Sequence, residues 1–373
     1  AVFPALLANY YGQGALLLAD PAAVSNPFFK MAPAWALYPL VAVSTLATVI
    51  ASQATISGAF SMAQQATLLG MSPRVRIQHT SESEFGQIYV PAVNWLQMLG
   101  VLGIVLGFKT GPEIASAYGI AVTGTMLITT LLVATVAVRT WKWPAIATWP
   151  LFLLLLVVDS ALFSANMAKF LEGGWVPLAI GFLLFLAMWT WYRGRQAVEK
   201  RIKEKSLPLD TLLATLEPHR LHRTPGTAIY LTTFSEAGST TLMQNLRHNG
   251  VLHETVVLLT IETVEEPMVP AGLRLDTADL GGGIWRARLR YGFMERRNVG
   301  QDVEALAARG IPLDPVNTSF FIGHNNIVSG PQPLLPNWQR RLFFALGRLA
   351  ASPSEFLGLP ADRTVELGSR IEV

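Results

Sequence analysis

Residues 34–60 read AWALYPLVAVSTLATVIASQATISGAF, a stretch that is mainly apolar and contains no Asp, Glu, Lys or Arg. A helix needs about 20 mainly apolar residues to cross the hydrocarbon core of a bilayer, so this stretch is long enough to span one. Residues 1–18 have the composition of the end of a further span. We predict complete spans at about 34–60, 90–108, 114–138, 146–166 and 174–192.

Composition divides the chain into two parts. Of its 373 residues, 51% are apolar and 14% are charged, which is outside the usual range for a soluble globular protein. Residues 1–192 contain 7 of the 28 Lys and Arg residues and 6 of the 25 Asp and Glu residues. We therefore predict a membrane domain at 1–192, a charged linker at 193–224 and an α/β domain at 225–373.

Charge and cysteine content exclude several classes of function. The net charge of +3 is too small to argue for a nucleic-acid partner. The chain has no Cys, which excludes disulfides, thiol catalysis and Cys-based metal sites. The linker sequence RGRQAVEKRIKEK, 193–205, is strongly basic, and basic segments favour the cytoplasmic side of a membrane. We therefore predict a multi-pass membrane protein whose tail is cytoplasmic.

A row of hydroxyl and amide side chains runs along the span at 34–60. Spacings of three and four residues place them on one face of a helix. The row consists of Ser44, Thr48, Ser52 and Thr55, with Gln53 and Ser57 beside it. Hydroxyls are common in contacts between membrane helices, whereas a primary amide in hydrocarbon must find partners for its donors and its acceptor. Gln53 therefore faces either a neighbouring helix or a wet cavity, and Ser52, Gln53 and Ser57 are candidates for an ion pathway.

Three further polar residues lie within predicted spans. Tyr118 and Thr123 occur among small residues in AYGIAVTGTM, 117–126, where helix backbones can approach closely. Asp159 lies in the middle of the next span, and carboxylates at such depth usually mark ion paths or proton relays. The alternatives are an interfacial position for Tyr118, and a structural hydrogen bond or a protonated resting state for Asp159. These patterns do not identify the residues that would ligate an ion.

The second half of the chain alternates between strand and helix patterns. Such alternation over roughly 150 residues favours an α/β domain. We predict strands at 226–234, 253–263, 284–293 and 317–323, and helices at 240–249 before Gly250, at 302–310 and at 337–350.

The second half of the chain contains no clear motif for metal binding, phosphate binding or catalysis. His219 and His222 have H-x-x-H spacing, but no third ligand follows at metal-site intervals, so a surface loop is the better interpretation. Gly281 to Gly283 matches no phosphate-binding motif and predicts a turn. Because no nucleophile, base and orienting group occur together, we predict that the protein is not an enzyme and needs no cofactor.

Several longer motifs occur along the whole chain. Those in the first half are NYYGQGALLL (9–18), ATVIASQATISGAFSMAQQA (47–66), HTSESEFGQIYVPAVNW (79–95), AYGIAVTGTM (117–126), DSALFSAN (159–166) and GGWVPL (173–178). Those in the tail are PGTAIYL (225–231), HNGVLHETVVLLT (248–260), NTSFFIGH (317–324) and RTVELG (363–368). In order and over nearly the whole chain, these motifs resemble the KUP (Kup/HAK/KT) family of potassium transporters.

The resemblance implies proton-coupled potassium uptake (symport) in the cell inner membrane. It implies a membrane domain of the APC/LeuT-like type with inverted repeats, followed by a soluble cytoplasmic α/β domain. Such transporters carry much of the ion site on discontinuous helices. Family members have additional spans upstream, so we expect this chain to be a piece of a longer protein that lacks roughly the first six spans. The family's acidic coupling residues lie in that upstream part, and only Tyr118 is associated with the ion path here.

Two other classes of protein stay open. A related cation or amino-acid secondary transporter would use the same spans. A membrane-tethered sensor would bind a nucleotide with its α/β tail, but polar residues inside three spans argue against a pure anchor. The partners expected are potassium ions, protons and the lipid bilayer, with a homodimer and a regulatory nucleotide at the tail as further candidates.

Overall fold

The structure is a computed structural model that divides into two compact units. These are Ala1–Ser61 with His79–Tyr89, and Met62–Gln78 with Val90–Val373. It describes residues 2–79, 88–108, 111–206, 208–209, 211–212, 222–233, 239–264, 266–292, 294–295, 297–314, 317–330 and 334–372.

The first unit is built from apolar helices. Asp20 starts the turn that follows the first helix, because its carboxylate accepts the backbone N–H of Ala22 at 3.0 Å. The third helix extends beyond the predicted residue 60, since SMAQQATL at 61–68 contains no Gly or Pro. Its last residues belong to the second unit. The helices are α1 Val2–Ala19, α2 Pro27–Lys30 and α3 Leu37–Leu68.

Four more helices follow two short strands, β1 Gln78–His79 and β2 Ile88–Tyr89. They are α4 Pro91–Gly107, α5 Gly111–Arg139, α6 Ala145–Met167 and α7 Trp175–Lys205. Among the described residues, four helical segments are long and apolar enough to cross a membrane, namely Ala34–Leu68, Glu113–Arg139, Thr148–Met167 and Trp175–Glu204. Helix α4 is apolar but has 17 residues, about 25 Å at a rise of about 1.5 Å per residue.

Helix α7 runs on into the segment predicted to be a linker. Its first half is apolar, and its second half carries the basic sequence at 193–205. Arg195 and Glu199 form an i, i+4 pair at 2.8 Å, which supports the helix where it leaves the apolar segment. The limits of the membrane domain, linker and α/β domain stay a prediction.

The second half of the chain contains a six-stranded sheet among its described residues. The strand order is β5-β6-β4-β3-β7-β8, and all neighbours are parallel except the antiparallel pair of β5 with β6 at one edge. Edge strands β5 and β8 were not predicted from the sequence. The strands are β3 His222–Thr232, β4 Val251–Val264, β5 Leu275–Asp279, β6 Ile284–Gly292, β7 Thr318–Val328 and β8 Thr364–Glu372.

The connecting helices are α8 Thr240–Asn249, α9 Ala271–Arg274, α10 Val299–Asp302, α11 Asn337–Arg348 and α12 Pro353–Phe356. Helix α8 ends at Gly250 with φ 66°, which confirms the predicted glycine cap. The helix predicted at 302–310 is instead a 3₁₀ helix, Val303–Arg309, after α10. Side chains three apart are eclipsed in a 3₁₀ helix, so Val303 and Leu306 both reach the core.

Apolar side chains alternate between the two faces of the sheet. Ile229 packs into one core with Val257 and Phe320, whereas its neighbour Tyr230 packs into the opposite core. There the Tyr230 ring stacks on Phe321, with ring centroids 4.6 Å apart. Both faces are therefore covered, as is usual for a mainly parallel sheet.

The basic second half of α7 packs against the sheet domain. Trp191 and Ala197 share a buried cluster with Phe343 of α11 and Ile371 of β8. Gly194 permits this approach, because a Cβ at that position would lie 2.2 Å from Cδ2 of Phe343. The last apolar helix and the tail therefore form one packed body.

The predicted Gly281–Gly283 turn is confirmed. All three glycines have positive φ, between 59° and 84°, and they connect β5 to β6. Arg223 Nη2 donates to the carbonyl of Gly282 at 2.7 Å. Of the H-x-x-H pair, His222 is the first residue of β3, and His219 lies outside the described residues.

Candidate functional site

Helices α5 and α6 form an antiparallel pair in which small residues face larger ones. A Cβ on Gly119 would lie 2.3 Å from Oδ1 of Asn166, and one on Gly124 would lie 3.4 Å from Cε2 of Phe163. Further along, Ala134 and Ala137 pack against Phe152. Small residues thus allow the two backbones to approach, as in many contacts between membrane helices.

Asp159 is held inside this helix pair. Only 6% of the residue is exposed, and the Thr130 hydroxyl donates to Oδ2 at 2.6 Å. This hydrogen bond gives a side-chain oxygen of Asp159 a partner in surroundings that hydrate it poorly. The structure therefore contains the structural hydrogen bond that was one alternative for Asp159.

Thr123 and Tyr118 lie on the same helix but in different surroundings. Thr123 is 8% exposed, and its hydroxyl donates to the Gly119 carbonyl at 2.7 Å. Tyr118 is 70% exposed. The structure therefore does not bring these two candidate residues together on one face of α5.

In the first unit, Ser52, Gln53 and Ser57 are exposed on α3. Hydroxyls of the polar row donate to backbone carbonyls one turn earlier, with Thr48 bonding to Ser44 at 2.9 Å and Thr55 to Ala51 at 3.0 Å. A hydroxyl that donates in this way keeps its lone pairs free on the outer side. The row is therefore a surface of oxygen acceptors, a property that spacing alone does not reveal.

The sequence patterns did not single out Thr130 or Asn166. Thr130 meets Asp159, and Asn166 meets Gly119, only through the register of α5 against α6, for which the sequence carries no local signal. Among the described residues, no three His, Asp or Glu side chains are grouped as they would be around a metal ion. The acceptors found here are single carboxylate, hydroxyl and carbonyl oxygens, which suit a weakly held monovalent cation better than a tightly held divalent one.

Comparison with protein families assigns both halves of the chain. Residues 1–196 match the K+ potassium transporter integral membrane domain, and residues 225–373 match the K+ potassium transporter C-terminal domain. The chain belongs to the KUP family of potassium transporters. It is therefore a multi-pass membrane protein of a transporter family, with apolar helices followed by a sheet-containing C-terminal domain. The predicted assignment to a transporter family rather than an enzyme family is confirmed.

Individual relatives align with this KUP family member along nearly its whole length. It is 46% identical over 372 residues to "Probable potassium transport system protein Kup 2" of Chromobacterium violaceum, covering 100% of this chain and 60% of that protein. It is 46% identical over 375 residues to a "Probable potassium transport system protein Kup" of Anaeromyxobacter dehalogenans, covering 99% and 56%. The Burkholderia ambifaria protein of that name is 45% identical over 373 residues, covering 100% and 59%. The chain thus spans less than two thirds of the length of these relatives.

Proposed function

We propose that the protein to which this chain belongs takes up potassium ions across the cell inner membrane. The observation that carries the proposal is the match of both halves to potassium transporter domains, together with relatives named as potassium transport proteins. The exposed oxygens of α3 support it, because a potassium ion that sheds its water needs several oxygen ligands of modest field strength. Ser52, Gln53 and Ser57 would line the pathway, together with Tyr118 and Thr123, and most ligands would come from spans outside this chain.

We further propose that uptake is coupled to protons and that Asp159 takes part. A buried carboxylate that already accepts one hydrogen bond from Thr130 can gain or lose a proton at its other oxygen. Intramembrane carboxylates commonly serve as such proton sites. The inverted-repeat APC/LeuT-like architecture, the cytoplasmic location of the sheet domain, a homodimer and a regulatory nucleotide at the tail are parts of the same proposal.

Rubidium uptake tests the proposal directly. Cells that lack their own potassium transporters would express either this chain alone or this chain preceded by the upstream part of the Chromobacterium violaceum relative. We expect saturable rubidium uptake by the chimera, with competition by potassium and none by amino acids. Absence of uptake, while the chimera is present in the membrane, would contradict the proposal, and competition by an amino acid would indicate a different substrate.

Proton coupling has its own test. In the transporting form, Asp159→Asn keeps an oxygen that accepts the Thr130 hydrogen bond but removes the titrating group. We expect uptake to lose its dependence on external pH while expression stays normal. Normal pH dependence in this variant would remove Asp159 from the coupling mechanism.

A further inference from the structure

A cavity of about 730 Å³ lies beside the carboxyl ends of the central strands. Its lining includes Thr232 and Thr233 at the end of β3, and Gly323 and His324 from β7. The chain proceeds from β3 to β4 and β6 on one side of the sheet, and β7 and β8 lie on the other. The strand order therefore reverses between β3 and β7, and open α/β sheets characteristically bind ligands at this point.

Three arginines from separate segments line this cavity. Arg74 follows α3, Arg195 lies on α7, and Arg297 precedes α10. Glu199 is the one carboxylate among the described lining residues, and it pairs with Arg195 at 2.8 Å. The lining therefore carries an excess of positive charge.

Arg74 and Arg297 are not neutralised within the described part of the chain. Neither has a carboxylate within salt-bridge distance there, and the Nε atom of each is buried without a hydrogen-bond partner. Arg297 does donate from Nη2 to the Thr263 hydroxyl. Burial lowers the pKa of both guanidinium groups, and the charge of Arg195 lowers that of Arg74 further. Both side chains are partly buried, and the Arg297 guanidinium lies over the Phe356 ring, 5.4 Å from its centroid. Partly buried guanidinium groups without a carboxylate partner favour an anion in the cavity.

The rest of the lining also suits an anion. The first residues of α8 lie in the cavity wall, where Ser239 caps the helix by accepting the N–H of Leu242 at 3.1 Å. The amino end of a helix carries partial positive charge. The side chains of Thr240 and Thr241 add hydroxyl donors.

We propose that this cavity binds a phosphate-bearing anion, held by the guanidinium groups of Arg74 and Arg297 and by the hydroxyls at the start of α8. Planar guanidinium groups match phosphate oxygens in pairs, which an isolated positive charge does not. The anion is either a free phosphorylated compound or the headgroup of an anionic phospholipid. The second source fits the presence of Thr67 and Trp191 in the lining, because these residues lie on helices long and apolar enough to cross a membrane. None of the residues proposed for the potassium pathway lines this cavity.

Binding measurements on the purified full chain distinguish the two sources. Calorimetric titration with pyrophosphate in a neutral detergent probes a free phosphate compound. Native mass spectrometry after exchange into phosphatidylglycerol or phosphatidylcholine probes the lipid source. We expect saturable binding of pyrophosphate, or retention of phosphatidylglycerol over phosphatidylcholine, with one molecule per chain. Because transport is not measured, this result is independent of potassium uptake.

Charge-neutralising variants identify the ligands. R74Q and R297Q are each expected to weaken binding by about tenfold or more, equivalent to about 1.4 kcal/mol. R247Q, at an exposed arginine of α8 outside the cavity, is the matched control and should leave binding unchanged. Binding to the unaltered chain should also weaken as salt rises from about 0.05 to 0.5 M, since charge interactions are screened.

Three results would overturn the proposal. One is failure of the unaltered chain to bind either probe. Another is binding that R74Q and R297Q leave unchanged while their melting temperatures match that of the unaltered chain. The third, which needs no variant to fold, is binding that does not respond to salt.

Discussion

A single hydrogen bond, from Thr130 to Asp159, gives a buried carboxyl oxygen its partner inside the pair of apolar helices. The Thr130 hydroxyl is the donor that the structure provides to this buried carboxylate, at 2.6 Å. Without it, Oδ2 would lose its partner in surroundings that offer little water. The stability of the α5 and α6 pair and the chemistry of Asp159 are therefore linked.

The first prediction concerns this donor. Thr130→Val keeps the shape of the side chain and removes the hydroxyl, so we expect a loss of about 0.5–2 kcal/mol in stability. The melting temperature in detergent measures it. Thr135→Val is the control, because Thr135 is exposed and donates to the Leu131 carbonyl within its own helix. Equal effects of the two substitutions would show that the bond to Asp159 contributes nothing specific.

A second prediction concerns the exposed polar residues. Gln53→Leu and Tyr118→Phe remove an amide and a phenol hydroxyl, and each is expected to lower rubidium uptake by the transporting form several-fold through the loss of pathway oxygens. Tyr38→Phe is the control, since Tyr38 is 83% exposed in the first turn of α3, outside the polar row. Unchanged uptake in both variants would exclude these residues from the pathway.

The surroundings of His253 lead us to predict that acid lowers the stability of the sheet domain. Its Nδ1 is buried without a partner, the ring lies edge-on to Phe321, and burial lowers the pKa of the imidazole. The folded state therefore binds the proton less readily than the unfolded chain. Stability is fully present above the unfolded pKa of about 6.5 and falls as the pH drops below it. Melting temperatures between pH 8 and pH 5 should show this decline, and His253→Gln should reduce it, whereas exposed His248→Gln should not.

At the scale of elements, the contact of α7 with α11 joins the last apolar helix to the tail. It depends on Gly194 lying under the Phe343 ring, and the Trp191 ring lies beside that ring at a tilt of 45°, with centroids 5.2 Å apart. Arg193 Nη1 adds a long bond to Oε1 of buried Gln339 at 3.4 Å. Movement of either helix would disturb the other, because packed contacts of this kind transmit displacement.

This contact yields a prediction. Gly194→Ala places a methyl group 2.2 Å from Cδ2 of Phe343, so we expect a loss of about 1–3 kcal/mol from overpacking. Phe343→Ala should cost about 3–5 kcal/mol by leaving a cavity. Gly347→Ala on α11 is the control, because a Cβ there meets nothing within 4 Å and alanine favours a helix. Limited proteolysis and melting temperature both report the result, and a neutral Gly194→Ala would contradict this packing.

At the scale of the whole molecule, the chain combines apolar helices suited to a lipid bilayer with a sheet domain suited to water. Apolar helices expose large side chains that suit hydrocarbon, whereas the sheet is covered on both faces by its own cores. The helical extension of α7 covers part of the sheet domain through the cluster around Phe343.

The final prediction follows from that coverage. A soluble tail comprising residues 193–373 should be more stable and less prone to aggregate than one comprising 206–373, because only the longer piece keeps Ala197 and Val198 against α11. Burial of apolar area contributes roughly 25 cal/mol per Å². Melting temperature and sedimentation compare the two pieces. Identical behaviour would show that α7 contributes nothing to the tail's stability.

Local signals predicted much of this architecture. Apolar stretches, hydroxyl spacing, the glycine cap at Gly250 and the turn at Gly281–Gly283 all depend on residues near one another in the chain, so the sequence by itself determined them. Other features depend on contacts with residues far away in the chain, which local sequence patterns do not predict. They are the strand order of the sheet, the edge strands β5 and β8, and the 3₁₀ geometry of Val303–Arg309.

Only the tertiary structure decided which residues distant in the chain contact one another. Thr130 meets Asp159 across two helices, Gly194 meets Phe343 across 149 positions, and Arg74 shares a cavity with Arg297 although both read as ordinary charged residues. The physical reason is that periodicity and propensity act over a turn or a strand. Pairing between distant segments is set instead by which faces pack together, and that is a property of the whole folded chain.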